Sequence, residues 1–242
     1  MTWDFALRPA VCSCLIALTS LLCRAETRCV DMQMAPDGGA LACKPMPTDG
    51  SRYIVVTGSS VKIVDAESRR TLMETEIDLD SAWGPSILID TAPYKLTPAA
   101  RAFGIRYNYA HHDRDVSESD QLLNLYIVDG DHIKEIVKGL VANVVILNSG
   151  CDDGGTEPAK KCHPGRDEIN RTIQLGPGRH KGFADIHVRE GERQCEDGSR
   201  EKVPCAVLSK QKFTHKEDVV LSYDGEKYAV PEGLDNGVLL QW

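Results

Sequence analysis

The chain is predicted to fold as a mainly β protein, an antiparallel sandwich or open barrel with three disulfide-stapled loops, and three observations predict it. Short segments alternate apolar and polar residues at the two-residue period of a half-buried strand. Turn-type dipeptides such as Asp129-Gly130 and Asp224-Gly225 separate these segments. No stretch sustains the period of an amphipathic helix.

The first element is a leader. Val11 to Leu22 is apolar apart from small or hydroxylated residues, follows Arg8 and ends in Cys23-Arg24-Ala25, so residues 1–25 are expected to be a cleaved signal peptide. Its apolar run is short of the roughly 20 residues that a bilayer span needs. Residues 26–50 are rich in Met, Pro, Gly and Asp, show no strand period, and are expected to form a stapled arm covering a sheet edge. Residues 51–242 then make a single β domain, the alternative being two small β domains split near 150.

Within that domain, strands are expected over 53–57, 61–65 and 71–77. Their wording is that of one propeller blade, but no second copy follows at a fixed period. A strand over 86–91 leads to a single helical turn near 98–101. In 102–110, Phe103, Ile105, Tyr107 and Tyr109 face one way, with Gly104, Arg106 and Asn108 opposite. Residues 111–120 read as a charged, exposed hairpin loop. The next hairpin joins 122–128 to 131–137 at Asp129-Gly130, and 140–147 is a nearly continuous apolar run, suited to a strand covered on both faces. Beyond a stapled excursion at 150–167, a strand over 169–175 passes through Gly176-Pro177-Gly178 to another over 182–189. A last hairpin pairs 219–223 with 227–230.

Cysteine usage supports export. The leader removes Cys12, Cys14 and Cys23 from nine cysteines and leaves an even six. These fall as sequence neighbours: Cys29 with Cys43, Cys151 with Cys162, and Cys195 with Cys205. Such local disulfides close loops of about ten to fifteen residues and contribute about 3 kcal/mol each by loop-closure entropy. Six cysteines allow fifteen pairings, so spacing alone leaves the connectivity open. The short knuckle spacing of tetrahedral zinc sites is absent. The expected location is periplasmic or secreted.

Charge narrows the partners. The whole chain carries a formal −8; loss of Arg8, Arg24 and Asp4 takes 28 basic and 36 acidic side chains to 26 and 35, or −9. Without a concentrated basic face, nucleic acid and anionic membrane surfaces are excluded as partners, and no stable membrane insertion is expected once the leader is gone. A basic protein or divalent cations suit such a surface.

The densest set of functional side chains is at 111–120. Asp113, Asp115, Glu118 and Asp120 form a carboxylate-rich tip expected to bind a basic partner, while His111, His112 and Asp113 are the alternative, a divalent-metal set. No twelve-residue calcium loop or HExxH spacing accompanies them. Asp78, Asp80 and Ser81 resemble the start of an oxygen-lined calcium loop, without its glycine and closing glutamate. Asp185 and His187, two apart on one strand, have the spacing of an acid–base pair but lack a nucleophile, so structural hydrogen bonding is expected of them. Asn170-Arg171-Thr172 matches a glycosylation acceptor. No catalytic residue or required cofactor is assigned.

Gly182-Phe183-Ala184-Asp185-Ile186 and Tyr223-Asp224-Gly225-Glu226-Lys227-Tyr228 together resemble a pattern in uncharacterised exported β-proteins of Gram-negative bacteria. The resemblance spans about the last quarter of the chain and implies an envelope location and β architecture. Taken with the missing nucleophile and cofactor signatures, the expectation is a non-catalytic periplasmic protein that binds another macromolecule, of inhibitor or immunity type. The alternatives are a metal-dependent envelope hydrolase and a calcium-binding structural protein.

Overall fold

A computed structural model describes residues 42–77, 85–113, 116–148, 164–198, 202–216 and 218–235. They form two antiparallel sheets. The smaller is a meander of β1 (Ala42–Met46), β2 (Asp49–Val56), β3 (Ser60–Asp65) and β4 (Thr71–Glu76), paired in chain order. The larger holds β5 (Ser86–Lys95), β6 (Arg101–Asp113), β7 (Val116–Asp129), β8 (His132–Asn148), β9 (Gly165–His180) and β10 (Phe183–Glu196), with short β11 (Thr214–His215) and β12 (Val219–Leu221) both added to β10. This second sheet curls into a half-barrel. Its central strands exceed the usual three to ten residues, and long twisted strands coil rather than stay flat.

Each sheet face has its own reason to be buried. Ile54, Val56, Val61 and Ile63 of the meander pack against Phe103, Ile105, Tyr107, Leu122 and Tyr126, giving the sandwich core. The opposite side of the curled sheet holds a second core of Leu123, Leu125, Ile136, Leu140, Ile186 and Val188, closed by Leu221, Tyr223, Tyr228 and Leu234. Fully burying each such aliphatic side chain contributes about 1.5–3 kcal/mol.

Two-residue turns fix the registers. Gly130 (φ 63°) and Asp131 join Asp129 to His132, one residue later than the Asp129-Gly130 turn read from the sequence. Lys181 (φ 49°) and Gly182 (φ 88°) join His180 to Phe183. In β8, Ala142 is an extra residue: Val141 faces Leu122 and Asn143 faces Gln121, so one bulge changes which side chains point to which face beyond it.

Several expectations are corrected. Residues 42–50 of the supposed arm are β1, a turn and the start of β2, because β1 is a sheet edge and an edge tolerates Pro45, which sits at a register shift. The described parts of 111–120 are paired strand, not loop: β6 and β7 continue to Asp113 and Val116. Gly176-Pro177-Gly178 is no connection either; it lies within β9, where three residues bulge opposite Asp185. Residues 98–101 form no helical turn, since the Thr97 hydroxyl accepts the Ala99 and Ala100 amides and closes a tight turn there. β12 pairs with β10 and not with 227–230, where a single bridge joins Tyr223 to Tyr228.

Of the cysteine pairs, Cys195–Cys205 is formed as expected and ties the end of β10 to a 3-10 helix, Cys205–Lys210. It is the one pair seen whole among the described residues, in place of three. Cys43 is disulfide-bonded, while Cys29, Cys151 and Cys162 lie outside the described residues. β8 and β9, on either side of position 150, pair with each other in the same sheet.

Candidate functional site

Alternation along the β6–β7 hairpin divides it into two chemical surfaces. Tyr107, Tyr109 and His111 share one face with Leu122, Asp120 and Glu118, and that face turns toward the meander. Asn108 and His112 share the other with Gln121, Ser119 and Ser117.

This geometry separates the metal set. His111 and His112 are neighbours in a strand and point to opposite faces, and His112 Nδ1 hydrogen-bonds the Ser117 hydroxyl across the pair. Asp113 ends β6 opposite Val116. Among the described residues, no three His, Cys, Asp or Glu side chains are grouped to hold an ion. Asp78, Asp80, Ser81 and Asp115 lie outside the described residues.

Glu118 and Asp120 are brought together. They stand two apart on one face of β7, both partly buried. Burial, reinforced by the charge of Glu118 and a hydrogen bond with it, pushes the Asp120 carboxyl up to about 7. Asp120 Oδ1 is buried and has no hydrogen-bond partner. Asp167 and Asp235 also leave a buried Oδ1 without a partner, but three sequestered carboxylates are treated differently. Asp90 receives the Ala92 amide, Tyr94 hydroxyl and Arg106 guanidinium, which hold it below the usual carboxylate range although burial opposes them. Glu168 is held between Arg166 and Arg193, and Glu190 between Arg171 and Lys216. Neither Glu118 nor Asp120 has a cationic partner among the described residues.

Asp185 and His187 do not act together. Asp185 Oδ1 lies 2.6 Å from His180 Nδ1, and its side chain covers Gly178, while the His187 ring covers Gly176. Both fill the space that the two glycines leave beside the bulge, as structural hydrogen bonding and packing require.

A second surface escaped the sequence reading. Asn108 of β6 lies directly opposite Gln121 of β7, Gln121 opposite Asn143 of β8, and Asn143 opposite Asn170 of β9. Four carboxamides thus form a row across four strands. Gln121 Nε2 donates to Asn108 Oδ1 (2.7 Å), and Arg106 Nη1 donates to Gln121 Oε1 (2.5 Å). Gln121, Asn143 and Asn170 of the row border a cleft of about 520 Å³, which Tyr94, Arg106, Arg171 and Thr172 also line. In sequence each carboxamide is an ordinary polar position in an alternating strand; only the pairing register aligns them.

Comparison with protein families, curated proteins and solved structures finds no match to this chain.

Proposed function

We propose that this is a non-catalytic protein of the bacterial envelope that binds a basic protein through the outer end of the β6–β7 hairpin, as an inhibitor or immunity-type protein does. The observation that carries the reading is the carboxyl pair Glu118–Asp120, side by side without a cationic partner among the described residues, whereas Asp90, Glu168, Asp185 and Glu190 each have an arginine, lysine or histidine beside them. A lysine or arginine from outside relieves two costs at once: the repulsion between the carboxyls and the unpartnered Oδ1 of Asp120. In sequence Asp113 and Asp115 add charge to the same stretch, and the chain's −8 favours encounter with a basic partner. The leader-like apolar run of residues 11–22 and the Cys195–Cys205 disulfide support the envelope location.

A guanidinium bound here displaces the Asp120 proton, so association near neutral pH releases protons and strengthens as pH rises through about 7. The test is affinity capture from a periplasmic extract at low salt, comparing the wild type with a variant carrying Asp113→Asn, Asp115→Asn, Glu118→Gln and Asp120→Asn. The captured protein should be basic, should leave as salt shortens the screening length below about 8 Å, and should be lost from the variant. Calorimetry of the purified pair in buffers of different ionisation enthalpy should show proton release. A partner indifferent to the four substitutions, or no partner, rejects this surface.

A further inference from the structure

The cleft beside the carboxamide row has chemistry unlike the acidic hairpin face. Neighbouring strands are about 4.8 Å apart, so the row from Asn108 to Asn170 extends roughly 14 Å across the sheet. Its two ends are not equivalent. Asn108 and Gln121 are committed to each other, to Ser86 and to Arg106. Asn143 uses only its amide nitrogen, on the Ile169 carbonyl at 3.1 Å, which leaves Oδ1 free to accept. The Asn170 carboxamide has no protein partner among the described residues and borders the cleft, as does the exposed Thr172 hydroxyl.

The charges in the cleft are already neutralised. Arg106 is spent on Asp90 and Gln121. Arg171 is spent on Glu190 and on the carbonyls of Val141 and Gly233. An anionic ligand would have to displace Asp90 or Glu190, and a cationic one would meet two guanidiniums. What remains is uncharged and bifunctional, since a carboxamide both donates and accepts, as does a sugar hydroxyl. Ile173 is the partly exposed apolar side chain available to the C–H face of a ring, while Tyr94 and Ala142 beside it are buried in the core.

We propose that this cleft binds a neutral glycan chain laid across the strands along the carboxamide row, with Asn143, Asn170 and Thr172 making the contacts that the protein itself leaves unused. The site lies on the opposite face of β7 from Glu118 and Asp120, so glycan and basic protein do not compete for side chains.

The test titrates the full-length chain with maltotetraose, cellotetraose and chitotetraose, and with an uncharged extended peptide, following calorimetric heat and the side-chain NH2 signals of the asparagines. At least one tetrasaccharide should bind at millimolar concentration or tighter, shift the Asn143 and Asn170 signals, and keep its affinity at about 1 M salt, where surface charge is screened to about 3 Å. Asn170→Ala should weaken it about tenfold, the loss expected of one or two hydrogen bonds, with an unchanged thermal midpoint. Thr172→Val, at an exposed position, provides the same comparison if Asn170→Ala unfolds. Glu118→Gln should leave glycan affinity unchanged. The proposal is overturned if no tetrasaccharide binds, if the peptide binds in their place, if salt abolishes binding, or if neither cleft variant weakens it.

Discussion

At Asp120 the fold accepts a local cost. Its folded carboxyl titrates near 7 against an ordinary 3.8, first because it is buried and second because Glu118 stands beside it. The folded chain therefore holds a proton that the unfolded chain has released across that window. Stability falls as pH rises from about 4 to about 7, and the whole penalty is present above 7. Asp120→Asn should stabilise the free protein at about pH 8 by on the order of 1 kcal/mol, a value discounted for the solvent that screens a partly exposed group. Urea midpoints of the two proteins at about pH 8 and pH 4 should show this gain shrinking toward the acid limit. The charge density of 111–120 was legible in sequence because it is a one-dimensional property. The pairing of Glu118 with Asp120 was not, since it depends on β7 extending as strand to the end of the hairpin.

Element by element, the strands with clean alternation were legible: β6, β7 and the start of β8 follow the apolar period, and the β7–β8 hairpin turns within one residue of Asp129-Gly130. What misled was composition standing in for conformation. Gly176-Pro177-Gly178 has the residues of a turn, yet β10 needs a neighbour without side chains there. A Cβ on Gly178 would lie 2.2 Å from Asp185 Oδ2, and one on Gly176 would lie 2.3 Å from His187 Nε2. Proline is tolerated because the bulge leaves its missing N–H without a ladder partner. Gly178→Ala should accordingly push Asp185 away from His180 and cost about 1–3 kcal/mol. The loss should appear in thermal unfolding together with a changed His180 resonance. An alanine at exposed Gly58, where a Cβ would meet nothing within 4 Å, should be nearly neutral.

For the molecule as a whole, residues 219–235 act as the closing wall of the half-barrel. Tyr228 is fully buried, its hydroxyl donates to the Ala184 carbonyl at 2.6 Å, and its amide donates to Ile136. Further on, the Val141 amide donates to the Leu234 carbonyl. Tyr228→Ala should cost about 3–5 kcal/mol, and hydrogen exchange at Val141 should accelerate as its acceptor loosens. Exchange unchanged at Val141 would show that the wall is held elsewhere. The Ala142 bulge reaches further than its single residue suggests. Val144 and Ile146 face the sandwich core and Asn143 faces the cleft only because Ala142 shifts the strand's parity between Val141 and Asn143. Pairing Ala142 as an ordinary ladder residue, with the bulge ironed out, would rotate the outer half of β8 by one face, turning two aliphatic side chains into the cleft and an amide into the core. The strand would keep its hydrogen-bonding capacity and its composition, and the molecule would be locally inside out.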